Sequence, residues 1–550
     1  MADGLSNSIT TLTSLFQGDQ KYKVPIYQRS YAWRNENIND LWDDLMDAFN
    51  EVKNDRTLFL GTLVIHKEEG ANNIVDGQQR LATLSMILAQ LRSALKNDDS
   101  GGKDAGKILT RIEDLLFVDG DPDIGSRLEL SERDRIAFHD MVRDGSSSQA
   151  PAALKRAWSL IGRLQSEEVE GRTILGFSSS LLDVLRTVVT FSVLNVSHPY
   201  NPFTVFETLN SRGQDLAQSD LIKNRVLQKA SSNRKDELSD KWERMVYVLP
   251  ENEVTYYLRS WWIAQQEFVS TKQLYNKVRK LIDSGDSSET YVTRWFLDAK
   301  YYTWVATGIG ELASPASLAA LSEFHDLGFK QARPVILGLL LNGGEKLLPD
   351  YVHHLARIYV RVLKTAQQRG SKFEAVLDDL SKAIRKSPSD GLELLRAKAN
   401  ELISRIGRID WSSFSIDDQD FARYILVSIA RELEGKTWAP PRSSELEIEH
   451  ILPRTRPDGL LNNISEDEYW RLATHVGNLT LILKEDNIRC SNKLFSEKVA
   501  IYREYTGQPG KHLSLTGQLA MGDSRWDEQK IIERARNLSL IAEKVWPTAV

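Results

Sequence analysis

Cysteine is almost absent. Cys490 stands alone among 550 residues, which excludes an internal disulfide framework and a cysteine-based zinc site. Long apolar runs are missing too, and none reaches the roughly eighteen residues that a membrane span needs. The opening MADGLSNSIT lacks a basic stretch followed by an apolar one, so no secretory signal is read there. These features lead to the expectation of a cytoplasmic protein in a reducing compartment, with no membrane partner. An excess of positive charge is lacking as well. The formal net charge of −6 argues against a generally adhesive nucleic-acid binder, while leaving room for a local basic patch. The GxxxxGK[ST] phosphate loop is not found, so a P-loop fold is not the basis of any nucleotide chemistry. No repeat of fixed period is present.

What is there is ordinary for a globular chain: 41% hydrophobic and 27% charged residues. The length allows about three domains. The expected class is α+β and predominantly helical, divided as 1–240, 241–400 and 401–550. Residues 1–20 read as polar with a short apolar helix around Leu12 to Phe16. Val24-Pro25-Ile26 reads as extended, because proline biases its neighbours toward β or polyproline geometry. It delivers Tyr27, Gln28, Arg29 and Tyr31. Alternation along an extended backbone would put Tyr27, Arg29 and Tyr31 on one face, two rings with a guanidinium between them. That set suits a phosphate, a phosphorothioate or a stacked base. Tyrosines beside an arginine also serve as packing around a buried ion pair.

Ile38, Leu41, Trp42, Leu45 and Phe49 repeat at helical spacing. Leu58 to His66 and Asn73 to Val75 read as buried strands. Asp76-Gly77-Gln78-Gln79-Arg80 then sits where a strand meets a helix running to about Leu95. Free N–H groups and the dipole at such a junction favour an anion, and Arg80 adds a fork of donors. The same pattern is also that of a plain capped helix. Arg186 to Val196 reads as a strand returning to the same sheet, and 240–400 as helical. Arg357, Arg361, Lys364, Arg369 and Lys372 form the clearest basic stripe, a candidate DNA contact or simply a solvated face. Trp438-Ala439-Pro440-Pro441 reads as a stiff linker.

Beyond that linker, Leu446, Ile448, Ile451 and Leu452 enclose Glu447, Glu449 and His450 in a short strand that Pro453 ends. Gly477-Asn478 opens a second apolar run, Leu479 to Leu483. A helix-like segment with Asn492, Phe495 and Lys498 follows. Phosphodiester hydrolysis needs a base for water and a divalent cation to offset developing charge. His450 is the candidate base, since imidazole titrates near neutrality. Glu449 and Asn487 are candidate oxygen ligands for Mg²⁺ or Mn²⁺, and Asn492 is an alternative to Asn487. Asn478 is positioned to hold the His450 loop through its side chain.

The runs IEHILP, GNLTL, DN and SNKLF resemble the HNH (ββα-metal) nuclease domain of GmrSD-type, modification-dependent restriction enzymes. That resemblance implies His450 as the general base, Glu449 as a metal ligand, Asn478 as the middle N and Asn487 as the last letter, a position that is often His. VPIYQRSYAW, LGTLVI and VDGQQRLATL resemble the N-terminal domain of the same family, related to the ParB and sulfiredoxin fold. The resemblance implies hydrolysis of GTP or another nucleoside triphosphate there, with Asp76, Gly77, Gln78, Gln79 and Arg80 matching the signature. FETLNSRGQDLAQSDLIKN is a further hallmark, with Glu207, Asn210, Arg212 and Asp220 as its polar members. The implied function is a phage-defence DNA endonuclease regulated by modified DNA, and a homo-oligomer is compatible with it. A non-catalytic sensor and an RNA or tRNA nuclease stand as the competing readings.

Overall fold

The computed structural model describes the chain apart from residues 1–4, 26–27, 29, 51–56, 69–70, 99–101, 146–148, 198–217, 251–252, 285–287, 368–370, 436–444, 458–459, 462–463, 508–510, 523–524 and 550. The chain forms two compact units. Unit 1 comprises Met1–Asp240 with Tyr275–Glu289, and unit 2 comprises Lys241–Leu274 with Thr290–Val550. The architecture is α+β and predominantly helical, as the sequence pattern predicts. No described helix is long and apolar enough to cross a membrane.

Unit 1 is built on a mixed sheet of β1 (Leu5–Thr11), β2 (Tyr22–Lys23), β3 (Leu58–Glu68), β4 (Ala71–Asp76), β5 (Leu128–Glu129) and β6 (Val189–Val196). The strand order is β1-β6-β3-β4-β2-β5. β6 runs parallel to β3 and antiparallel to β1, and β3 turns back as β4. The expected 186–196 strand starts later, because Val184–Val188 continues the preceding helix as a π turn before β6 begins. β1 replaces the polar segment expected at the start. LSNSITT has no apolar period because an edge strand is held by its backbone ladder to β6, and its Ile9 is 78% exposed.

The Gln78–Lys96 helix lies at the centre of this unit. Leu81, Leu84, Ile87, Leu88 and Leu91 are buried, and so are the small residues between them, so the helix is enclosed nearly all round. The Asn35–Asn50 helix is amphipathic instead, burying Ile38, Leu41, Trp42 and Leu45 on the predicted stripe.

In unit 2 one apolar core runs from Val305 to Trp546. It takes in the Pro315–Leu327, Arg333–Leu341, Leu348–Arg357, Pro388–Ser404 and Gln419–Glu434 helices, together with the hairpin of β7 (Leu446–His450) and β8 (Leu479–Leu483). The expected basic stripe is not a continuous solvent-facing one. Arg357 and Arg361 are buried rather than solvent-facing. Arg357 donates to the carbonyls of Pro547 and Thr548, both at 2.9 Å, and to Asn400 Oδ1 at 2.9 Å. Arg361 pairs with Glu543 at 2.9 Å and donates to the Trp546 carbonyl at 2.6 Å. The two guanidiniums thus bond the carbonyls of Trp546, Pro547 and Thr548. Lys364 pairs with Asp418 at 2.9 Å. Arg369 and the Lys372 side chain lie outside the described residues, as does the 438–441 linker.

Candidate functional site

β7 and β8 pair antiparallel, with His450 opposite Leu479 and Glu449 opposite Thr480. Leu446, Ile448, Leu479 and Leu481 are in the core, which fixes the register because a one-residue slip would expose all four. The Lys484–Cys490 and Phe495–Glu504 helices follow, so strand, loop, strand and helix come in the order read from the sequence.

Asn478, fully buried, is the fastening of this hairpin. Its Oδ1 accepts the Leu452 N–H at 2.7 Å and the Trp526 indole N–H at 2.8 Å. Its amide donates to the carbonyls of Leu452 and Ala473, each at 2.9 Å. The Asn478 carbonyl takes the Ile451 N–H at 2.9 Å. The two residues after His450 are thus tied to one residue, Ile451 by its backbone carbonyl and Leu452 by a side chain whose two donors and two acceptor sites are all used. Gly477 is required for a steric reason, since a Cβ there would stand 2.0 Å from the Ile531 carbonyl oxygen. Arg534 brackets the turn by donating to the Gly477 and Leu479 carbonyls at 2.9 and 2.7 Å.

His450 is half-buried, and burial, with the charges of Arg454 and Lys498, holds its imidazole down to about 4. The ring is therefore neutral at working pH and carries the lone pair that a base needs. Glu449 is 3% exposed, and its Oε1 is engaged twice, by Lys498 Nζ at 2.7 Å and the Tyr502 hydroxyl at 2.8 Å. Burial pushes its carboxyl up against the opposing pull of Lys498. Lys498, itself fully buried, also donates to the His450 carbonyl at 2.8 Å. Asn487 donates to Glu447 Oε2 at 2.6 Å, and Asn492 is exposed.

These contacts test the expected ligand pair. A divalent cation at Glu449 would have to displace an ammonium at 2.7 Å, while Asn487 is turned to a different carboxylate. Glu449 and Asn487 as arranged here do not fit a shared cation. Among the described residues no group of three or more His, Cys, Asp or Glu side chains is gathered for a metal. Sequence reasoning missed Lys498, Tyr502, Trp526 and Arg534 as parts of this site. One signal was readable: Lys498 shares the apolar face of its helix with Phe495, Ile501 and Tyr502, and a lysine there needs a buried partner.

In unit 1 the Asp76–Arg80 turn also differs from expectation. Gly77 caps the Gln78–Lys96 helix in the left-handed region, φ 93°. Arg80 points inward, not toward an anion. It donates to the Leu60 carbonyl, to the Thr62 carbonyl at 2.9 Å, and lies 3.7 Å from Asp76. Gln79 accepts the Ala32 N–H at 2.8 Å and donates to the Ser30 carbonyl at 3.3 Å. Gln78 is buried. Arg80 and Gln79 therefore do not fit as phosphate ligands, because both bind the fold's own backbone. Asp76 is the more accessible member, with about a third of its side chain in solvent.

The proposed readers of modified DNA are divided. Tyr31 is in the core, its hydroxyl 2.8 Å from Thr83 Oγ1 and its N–H on Asp134 at 2.6 Å, so the packing reading holds for it. Gln28 is buried too, donating to the Val75 carbonyl at 2.7 Å. Tyr27, Arg29, Glu207, Asn210 and Arg212 lie outside the described residues.

Gly77 permits a direct test of this turn. An alanine Cβ would stand 2.1 Å from Leu63 Cδ2 in a backbone conformation that L-residues avoid. Gly77→Ala is expected to destabilise unit 1 by about 1–3 kcal/mol, read from denaturant unfolding. An unchanged midpoint would contradict the close packing of Gly77 on β3.

Comparison with known proteins gives two family matches. Residues 12–227 match the GmrSD restriction endonuclease, N-terminal domain, and residues 405–541 match the GmrSD restriction endonucleases, C-terminal domain. A comparison with curated proteins gives no match.

Proposed function

This chain belongs to the GmrSD restriction endonuclease family, with both of the family's domains in one polypeptide, and from that membership we propose a phage-defence nuclease that cuts DNA through His450. A restriction endonuclease binds DNA, and the family suggests dependence on a divalent cation, Mg²⁺ or Mn²⁺ in this reading. Glu449 and Asn487, as arranged, do not fit such an ion, so no step of this reading is routed through it. The observation that carries the reading is the Asn478 fastening. Asn478 holds residues 451 and 452 by three hydrogen bonds and is itself anchored to Trp526 and Ala473 by two more, so the neutral imidazole just before them is presented from a rigid hairpin. His450 accepts a proton from water, and the fixed backbone keeps the ring oriented.

We assign to unit 1 the handling of GTP or another nucleoside triphosphate, at Asp76 and the N–H groups that open the Gln78–Lys96 helix. The same unit would sense a modification such as phosphorothioate or modified cytosine, through Tyr27 and Arg29. The test is cleavage of matched unmodified, phosphorothioated and glucosylated plasmids with Mg²⁺, beside an RNA substrate and a chelator control. Metal-dependent nicking of DNA supports the proposal. Cleavage of RNA alone would favour a tRNA or RNA nuclease, and binding without cleavage a sensor.

A further inference from the structure

A cleft of ≈ 650 Å³ opens in unit 2 between the Pro315–Leu327 and Gln419–Glu434 helices, away from the residues assigned above. Glu323, Asp326, Lys330 and Arg431 all line it. Glu323 and Asp326 lie three residues apart on one helix and so project to the same side. Arg431, on the other helix, acts on both electrostatically. Among the described residues, however, neither the Arg431 nor the Lys330 side chain is engaged in a hydrogen bond or ion pair. Tyr424 donates to Glu323 Oε1 at 3.2 Å, and burial pushes that carboxyl up. Phe324 and Val427 supply apolar wall. The cleft therefore offers cations, carboxylate acceptors and apolar surface.

We propose that this cleft binds a nucleotide moiety, with its phosphate on Lys330 and Arg431 and a hydrogen-bond-donating base edge on Glu323. Arginine and lysine recognise phosphate, and a carboxylate accepts from an amino edge such as cytosine N4. The volume is within the range of small-molecule sites. The moiety has two possible sources, a free nucleotide or a nucleotide turned out of a DNA strand. Arg423, in the cleft wall, donates to the carbonyl of Leu446, the first residue of the strand that ends in His450. Occupancy is thereby linked to the nuclease hairpin, a step that rests on the function proposed above, whereas binding itself does not.

The experiment titrates the full chain with deoxynucleoside monophosphates in one arm and short single-stranded and duplex oligonucleotides in the other. Wild type, Arg431→Ala and Glu323→Gln are compared by calorimetry or anisotropy. Arg431 is exposed and Glu323→Gln is nearly isosteric, so circular dichroism should show both folded. Binding weakened about tenfold or more in both variants supports the site. A loss in the monophosphate arm identifies a free nucleotide, and a loss confined to oligonucleotides identifies a strand nucleotide. Affinity unchanged by both substitutions in both arms overturns the proposal. Plasmid nicking is measured on the same wild-type preparation. Its absence would count against the nuclease reading and leave the binding result to decide the cleft.

Discussion

His450→Ala is expected to lower DNA nicking by about 10²–10⁴-fold while unfolding stays close to wild type, because general-base assistance is of that size. The side chain is half-buried and its removal breaks no hydrogen bond described for the ring, whereas the backbone of the hairpin keeps its Asn478 and Lys498 ties. The pH profile provides a second readout. Burial, then Arg454 and Lys498, depress the imidazole to about 4, so the base stays unprotonated well below the usual histidine range. The acid limb of kcat/KM for the wild type should accordingly lie below pH 6.5, the unperturbed histidine value. Nucleotide hydrolysis, assigned to the other unit, should be unaffected. A His450→Ala protein that nicks plasmid at the wild-type rate would remove the nuclease assignment.

The hairpin was legible because each of its steps leaves a local mark. Leu446 and Ile448 alternate with polar residues, Pro453 stops the ladder, and Gly477-Asn478 fits a turn that tolerates no Cβ. What a side chain meets across the fold leaves no such mark. Glu449 looks like an open carboxylate in IEHILP, and only the packing of a later helix shows that Lys498 and Tyr502 occupy it. Arg80 likewise reads as a donor fork at a helix start, yet its partners are carbonyls of β3. Arg357 and Arg361 have the spacing of a solvated stripe, and the returning chain end, Trp546 to Thr548, covers them. For Tyr31 the alternation left a ligand-reading face and a packing role both open, and Asp134 and Thr83 decide for packing by holding it in the core. In each case local pattern gave the element and non-local burial decided the role. Polar β1 was lost for the converse reason, since an edge strand needs pairing and not an apolar face.

Lys498→Met is expected to be the most destabilising single substitution at the hairpin, because it leaves Glu449 buried without its cation. Removing one partner of a buried ion pair costs about 3–5 kcal/mol, more than the pair itself contributes over an apolar replacement. The Tyr502 hydroxyl would remain on the carboxylate at 2.8 Å, and protonation of Glu449, already favoured by burial, would limit the cost. Combining Lys498→Met with Glu449→Gln should recover much of the loss, since the double variant buries no charge at that point. The pair should therefore show a coupling energy of about 1 kcal/mol or more in a double-mutant cycle, measured by denaturant unfolding. Activity should not return in step with stability. Lys498 also holds the His450 carbonyl at 2.8 Å, so the double variant, though folded, presents the imidazole from a looser strand end and should nick more slowly than wild type. A Lys498→Met protein with an unchanged unfolding midpoint would contradict the buried pair. Full nicking by the double variant would separate the ion pair from the placement of the base.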